Sequence, residues 1–509
     1  MPPSVSCLAL LLVAQASGAY FGGAATRCTA RASPLVACAD PAAARATDVS
    51  PAAKEILNHP LDVPRVEHVS DWLPEAEALE THFRGGCMID VETLAEDECV
   101  VPLPGEQSIF VDEREVVLAD PIVKLDATGL DGRTGYMMSG PREKVYFAPE
   151  EAKAAIVTCG GLCPGLNTVV KELVSCLRSQ YGVEEVYGVK NGYMGFYSSE
   201  WTPLELEDVE TIHRQGGSLL GSSRGGHDTG KICDAIEAAG VNLVFTIGGD
   251  GTMKGSEALA QEFVARKSKV VVAHIPKTID NDIPLLDSTF GFGTAVHEAT
   301  RAIHTARDEA VAYPNGVGLV NLMGRHSGFI AAHATMASRG VDVCLVPEVP
   351  FELEGPNGLL RYIESRIAKQ GYCVVVVAEG AGQEYLIADG GSDLSGNALL
   401  AEIGRFLREK ISAHLAAADK PASIKYVDPT YMVRATPATA ADNILCLQLA
   451  HDAVHGAFAG YTSFMSGRVN GRGVLIPMSF ATGKRNCIQP SGNFWQQLVF
   501  ATGQPNWDQ

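Results

Sequence analysis

From residue 151 onward, short apolar runs alternate with longer amphipathic stretches. Ala154-Ala155-Ile156-Val157-Thr158 is one such run, and 186–189, 243–247, 270–275, 318–323, 343–346 and 373–377 repeat its texture. Runs this short and this apolar read as strands buried on both faces. Between them, residues 168–177, 232–239, 254–265, 293–310 and 327–337 have the spacing of helices. Buried strands alternating with helices predict an α/β fold with a mostly parallel sheet covered on both sides. Ligands of such sheets bind beyond the carboxyl ends of the strands. The loops after each apolar run are therefore where chemistry is expected.

Composition narrows the class. The 509 residues are 46% hydrophobic and include 52 glycines, which suits a large α/β enzyme and not a disordered or fibrous chain. A formal net charge of −20 with no long basic run speaks against nucleic acid as a partner. It leaves phosphorylated substrates open, because a few local arginines, Mg²⁺ and backbone N–H groups can hold them. The 13 cysteines show no paired metal spacing and are expected as reduced core thiols. Cys159 and Cys163, in one glycine-rich turn, are the candidates for redox sensing. Residues 51–150 lack the strand–helix alternation, carry proline-rich and acidic stretches, and read as an N-terminal extension packed on the core. No segment is long and apolar enough to read as transmembrane.

The loops carry recognisable parts. Gly160-Gly161-Leu162-Cys163-Pro164-Gly165 follows a strand and opens a helix, where backbone N–H groups can meet a phosphate. No G-x4-G-K-[ST] loop is present, so this is not a P-loop enzyme. Arg224, inside Gly217–Gly226, offers a cation in a polar loop. Asp250, in Ile-Gly-Gly-Asp-Gly-Thr (247–252), suits Mg²⁺ coordination, although an Asp there could equally cap a helix. Asp280, in Pro-Lys-Thr-Ile-Asp-Asn-Asp (276–282), suits a general base, and Asp282 could orient it; Asp-Asn-Asp is also strong turn sequence. Met323-Gly324-Arg325-His326, Glu379 and Tyr431-Met432-Val433-Arg434 add arginines for a phosphate and a carboxylate for hydroxyls. His326 reads as structural.

Taken in order, these motifs from about 154 to 478 resemble the phosphofructokinase family. The segments Ala-Glu-Gly-Ala-Gly-Gln (378–383) and Asp-Pro-Thr-Tyr-Met-Val-Arg (428–434), with Ala453-Val454-His455-Gly456 and Ala459-Gly460-Tyr461-Thr462, are similar to its plant and algal ATP-dependent branch. The resemblance implies two Rossmann-like, mostly parallel-sheet subdomains with the active site in the cleft between them. It implies transfer of a phosphoryl group from Mg-ATP to the 1-hydroxyl of fructose 6-phosphate, giving fructose 1,6-bisphosphate and ADP, the committing step of glycolysis. Gly161, Arg224, Gly225, Gly249, Asp250, Gly251 and Thr252 would bind nucleotide, with Asp250 on Mg²⁺. Asp280 would deprotonate the sugar. Thr278, Ile279, Asp280, Met323, Gly324, Arg325, Glu379, Tyr431, Met432, Val433 and Arg434 would bind the sugar phosphate. A homo-oligomer, dimer or tetramer, is expected. The arginine that neighbouring subunits supply in bacterial members lies shortly before Met-Gly-Arg; this chain reads Pro314-Asn315-Gly316-Val317-Gly318 there, so that role is not carried over.

Donor choice turns on Gly251 and Lys277. Pyrophosphate-using members carry Asp where Gly251 stands, and a carboxylate there would crowd and repel the α-phosphate of a nucleotide. Lys277 matches the pyrophosphate pattern, but plant ATP enzymes combine Gly and Lys as this chain does. ATP is therefore expected, with pyrophosphate as the alternative. A non-catalytic regulatory subunit is the less favoured reading, because Asp250, Asp280 and Arg325 are all present.

The N-terminus has a separate pattern. Residues 8–16 are apolar but too short to span a membrane, Ser17-Gly18-Ala19 offers small residues for cleavage, and Tyr20-Phe21 follows. Arg27, Arg31, Ser33 and Arg45 come next, with no acidic residue before Asp40. This resembles the bipartite presequence of algae with complex plastids. The expected division is 1–50 presequence, 51–150 extension and 151–509 catalytic domain. Because a secreted kinase would lack intracellular ATP, a plastid destination is expected; the secretory route and the cytoplasm are the alternatives.

Overall fold

The computed structural model describes residues 62–81, 83, 110–121, 133–386 and 400–507, all in the unit 59–509. The presequence expected over 1–50 lies outside the described residues. In chain order, the strands that build the two larger sheets are β1 (Val116–Leu118), β2 (Gly135–Met138), β3 (Lys153–Thr158), β4 (Glu185–Val189), β5 (Thr202–Pro203), β6 (Leu243–Gly248), β7 (Val271–Pro276), β8 (Gly316–Leu322), β9 (Val343–Leu345), β10 (Tyr372–Ala378), β11 (Ser423–Val427), β12 (Phe464–Val469) and β13 (Arg472–Pro477). One sheet has the order β1-β2-β13-β12-β7-β6-β3-β4-β5 and the other β9-β10-β8-β11. Its centre, β12-β7-β6-β3-β4, is parallel throughout, and the second sheet is entirely parallel. Each strand-like run of the sequence from 154 to 377 coincides with one of these strands to within two residues at either end. β1 and β2, which come from the region before residue 151, extend the first sheet, β2 pairing antiparallel with β13 and β1 antiparallel with β2.

The alternation of side chains explains why these runs are almost wholly apolar. In the first sheet Ile156, Phe245 and Ala273 face one core, together with Leu166, Val170 and Leu173 of helix α1 (Leu166–Ser175). Ala155, Val157, Val244 and Val272 face the opposite core, with Leu259 and Phe263 of α2 (Asp250–Arg266). The second sheet is divided the same way: Val320, Val374 and Val376 lie on one side, and Leu319, Val375 and Val377 on the other. A strand buried on both faces takes a polar residue only where it is hydrogen-bonded, as the fully buried Thr246 and His274 are to each other at 2.9 Å. Each fully buried Val, Leu or Ile contributes about 1.5–3 kcal/mol from burial.

Register decides where the loops emerge. Thr158 pairs with Ile247, which pairs with Ile275, so β3, β6 and β7 end level. Leu322 pairs with Ala378, and Val320 with Val427, so β8, β10 and β11 also release their loops at one edge. Ile279, in the loop after β7, packs against the cores of both sheets and fixes that loop between them. No helix among the described residues is long and apolar enough to cross a membrane.

Candidate active site

The loops from the two level edges line one cleft of about 720 Å³. From the first sheet come Gly160 and Gly161 after β3, Gly249–Thr252 after β6, and Lys277–Asp280 with Asp282 after β7. From the second come Met323 and Arg325 after β8, Glu379 after β10, and Thr430 and Arg434 on helix α3 (Thr430–Ala435) after β11. Arg224 and Gly225 join from the polar loop before residue 229.

Asp280 stands where the walls converge. Asn281 takes a left-handed conformation (φ 57), which Asn tolerates better than most residues, and its side chain accepts from Thr289 N–H at 2.9 Å. Thr278 Oγ1 accepts from Asp280 N–H at 3.2 Å and donates to Asp282 Oδ1 at 2.7 Å. The turn is thus braced on both sides of Asp280, while Asp280 Oδ1 is closed off without a hydrogen-bond partner among the described residues. The residue is half-buried by surface area, yet the carboxyl oxygen at issue is enclosed. Burial first, then the negative charges of Asp282 and Glu379, push its pKa up to about 7; Arg325 and Arg434 act in the other direction. Burial likewise raises Glu379, and the same two arginines oppose the rise.

The glycine turn serves as a floor for cations. Lys277, 7% exposed, donates from Nζ to Gly161 O at 2.8 Å. Burial lowers its pKa, and Arg434 and Arg224 add to the effect. A Cβ on Gly161 would come within 2.7 Å of Arg434 Nη2 and 3.8 Å of Arg224 Nη2. Two guanidinium groups from opposite walls therefore meet over a residue that has to be small. Asp250 opens α2, with Oδ2 ion-paired to Lys254 at 2.8 Å and Oδ1 accepting from Gly483 N–H at 3.1 Å. Beside it, a Cβ on Gly251 would meet nothing within 4 Å.

Some expected residues lie elsewhere. Gly324, Tyr431, Met432 and Val433 do not line the cleft. Val433 is buried in the core of the second sheet, and helical geometry then turns Tyr431 and Met432 outward, 83% and 72% exposed. Their bearing on the site runs through the placement of Arg434 and Arg325. Other lining residues were not expected: Lys254, His227, His326, Thr430, Lys484 and Arg485. Lys254 had a signal, since it stands four residues after Asp250 on one helix. His326 was expected as structural, yet it lines the cleft, its pKa lowered by burial and then by Arg485 and Arg325. Cys159 and Cys163 are buried, which pushes both thiols up to about 12, so each is protonated at neutral pH and a poor redox sensor. The described cysteines are free, and all but Cys487 are buried.

Residues 153–457 match the family model described as Phosphofructokinase. The chain belongs to the phosphofructokinase family. Among its relatives, ATP-dependent 6-phosphofructokinase 1 of Arabidopsis thaliana is 49% identical over 78% of this chain and 84% of its own. ATP-dependent 6-phosphofructokinase 4, chloroplastic, of the same plant is 47% identical over 80% and 78%. A solved pyrophosphate-dependent phosphofructokinase from Marinobacter aquaeolei matches with a TM-score of 0.58 at 22% identity, covering 69% of this chain and 91% of that one. At that identity the likeness speaks for the phosphofructokinase fold alone. The glycine turn, the Asp250 and Asp280 loops, Arg325 and Arg434 all lie within the phosphofructokinase match.

Proposed function

We propose that this chain phosphorylates fructose 6-phosphate at its 1-hydroxyl with Mg-ATP, yielding fructose 1,6-bisphosphate and ADP at the committing step of glycolysis. The observation that carries the reading is Asp280: an enclosed, unpartnered carboxyl oxygen with a pKa near neutrality, in a cleft otherwise rich in cations. Asp280 takes the proton of the 1-hydroxyl as that oxygen bonds to the terminal phosphorus, and the bond from phosphorus to the ADP oxygen breaks. Arg325, Glu379 and Arg434, with Thr278, Ile279 and Met323, hold the sugar phosphate. Gly161, Arg224, Gly225 and Gly249–Thr252 hold the nucleotide.

Asp250 suits Mg²⁺. No cluster of three or more His, Cys, Asp or Glu that could hold a metal occurs among the described residues, which fits an ion that draws most of its ligands from phosphate and water. Each carboxylate oxygen of Asp250 has a protein partner and keeps a further lone pair for an ion. Bound there, Mg²⁺ would neutralise charge on the transferring phosphates.

ATP is favoured over pyrophosphate by the open space at Gly251, which leaves room for an α-phosphate. Lys277 is the residue that supports the alternative donor. An assay of fructose 1,6-bisphosphate formation with each donor at equal Mg²⁺ tests the reading. ATP should support turnover at least about tenfold faster than pyrophosphate; comparable or faster turnover with pyrophosphate would overturn the donor assignment. The catalytic domain is read as 151–509 with 51–150 as its extension. The presequence pattern, together with relatives named as chloroplastic, supports a plastid destination. The exposed Tyr431 and Met432 support a homo-oligomer, dimer or tetramer, which light scattering on the purified protein would test.

A further inference from the structure

Seven Lys and Arg side chains line the cleft against four Asp and Glu, a local excess of positive charge in a chain of net charge −20. Five of the seven lie within residues 153–457, the region of the family match; Lys484 and Arg485 lie beyond it. These two sit on a strap that crosses the cleft. At one end Met478 and Ala481 are buried with Met253 and Ile283, on the side of the first sheet. At the other end Ile488 is buried with Val346 and Val349, in a core of the second. The backbone between is tied to both walls. Gly483 N–H donates to Asp250 Oδ1 at 3.1 Å, and Asn486 N–H donates to the carbonyl of Asp282 at 2.7 Å. Ile488 N–H donates to Glu348 Oε1 at 2.9 Å, a carboxylate that also accepts from Gly328 N–H at 3.0 Å. Gly483 has φ +76, a conformation that costs glycine little, and this bend aims its N–H at Asp250.

We propose that this strap is a phosphate clamp, in which Lys484 binds the donor's polyphosphate chain and Arg485 binds the phosphoryl group as it crosses to the acceptor oxygen. The assignment follows the chain path. Lys484 comes directly after the residue bonded to Asp250, on the nucleotide side. Arg485 comes directly before the residue bonded to Asp282, close enough to His326 for its charge to act there, on the side where Asp280 stands. Both side chains belong to exposed residues that line the cleft, and neither forms an ion pair with a described carboxylate. Anchoring at both ends fixes the backbone that carries the two cations, and Lys484 Nζ rests 5.4 Å from the centre of the Phe480 ring, so both charges are held at the cleft before substrate arrives. A lysine suits the flexible donor chain as a point charge, and the planar guanidinium suits oxygens of a phosphoryl group in flight.

The clamp rests on the phosphoryl-transfer reading, and its test separates the two. Lys484→Ala, Arg485→Ala and Arg485→Lys would be made in the full chain. Binding of inorganic tripolyphosphate would be followed by calorimetry, and turnover of fructose 6-phosphate with Mg-ATP by steady-state kinetics. Lys484→Ala should weaken tripolyphosphate binding about tenfold and raise KM for ATP more than it lowers kcat. Arg485→Ala should lower kcat roughly 10- to 100-fold with KM for fructose 6-phosphate within about threefold of wild type, and Arg485→Lys should recover part of the loss. Tripolyphosphate affinity and turnover within about twofold of wild type in both alanine variants would overturn the clamp and leave Lys484 and Arg485 as solvated surface. A wild-type protein that binds tripolyphosphate through Lys484 yet does not phosphorylate fructose 6-phosphate would instead refute the sugar assignment and support the donor half of the clamp.

Discussion

Asp280→Asn should make the protein more stable and nearly inactive at once. The folded structure holds this carboxyl at about 7 where its ordinary value is 3.8, because it is enclosed and faces Asp282 and Glu379. A raised folded-state pKa gives stability that is fully present below about 3.8 and is lost as pH rises through about 7. That displacement of about three pH units corresponds to a ceiling of about 4 kcal/mol of lost stability at pH 8, at about 1.4 kcal/mol per unit. At pH 5 the ceiling falls below about 2 kcal/mol, because the folded carboxyl is neutral there and only the unfolded one has ionised. Asn is nearly isosteric and never ionises, so it removes the loss; its own burial cost offsets part of the gain, leaving about 1–3 kcal/mol at pH 8.

The assay is denaturant unfolding of wild type and variant at pH 8 and pH 5, with kcat measured beside it. The midpoint should rise in the variant at pH 8 and rise distinctly less at pH 5, while kcat falls roughly 10²- to 10⁴-fold. A structural aspartate in a satisfied turn would give the opposite signs: lower stability in the variant and little change in turnover. A variant destabilised at pH 8 would refute the account of the raised pKa. Turnover near the wild-type rate would remove Asp280 as the base.

Other substitutions probe its surroundings. Asp282→Asn keeps an oxygen for Thr278 but removes a charge that raises Asp280, so the rising limb of the kcat–pH profile should move to lower pH; an unmoved limb would dismiss Asp282 as a cause. Gly251→Asp places a carboxylate in open space at the start of a helix, where the backbone tolerates it, so the fold should persist while KM for ATP rises at least about tenfold; unchanged ATP kinetics would sink the donor argument. Gly161→Ala meets the flexible end of Arg434, so stability should hold while KM for fructose 6-phosphate rises; an unaltered KM would show that Arg434 works from another position.

How much of this was legible in the sequence depended on the range of each interaction. The strands 153–158, 243–248 and 271–276 were readable because burial on both faces forces nearly continuous apolar runs. The loops after them were readable only as a set: a helix cap or a turn accounts for each carboxylate singly, but less easily for three carboxylates at strand ends together. Donor and acceptor loops could be paired only because the family resemblance brought their residues together; the spacing of 323–325, 379 and 434 says nothing by itself about a common cleft. β1 and β2 were not read as strands, since segments of three and four residues are too short to show a period, and β1 at the sheet edge has only one neighbour to satisfy. The Asn470-Gly471 turn between β12 and β13 was a hairpin signal that went unused, and both residues take the left-handed conformation that such turns require.

The raised pKa of Asp280 was beyond the sequence, because it depends on an oxygen left without a partner and on Glu379 arriving from another sheet. Lys484 and Arg485 were beyond it for a related reason. A Lys-Arg pair after a short helix is ordinary solvated surface until the path of the chain is known. Only that path ties Gly483 to Asp250 and Asn486 to Asp282, and so turns two exposed cations toward the cleft. The residues that define the chemistry lie close to strand ends and are local in sequence. Most residues that set its electrostatics, Glu379, Arg325 and Arg434, come from distant segments, and that is why variants of the strap test the structure, while Asp280→Asn tests the motif through turnover and the structure through stability.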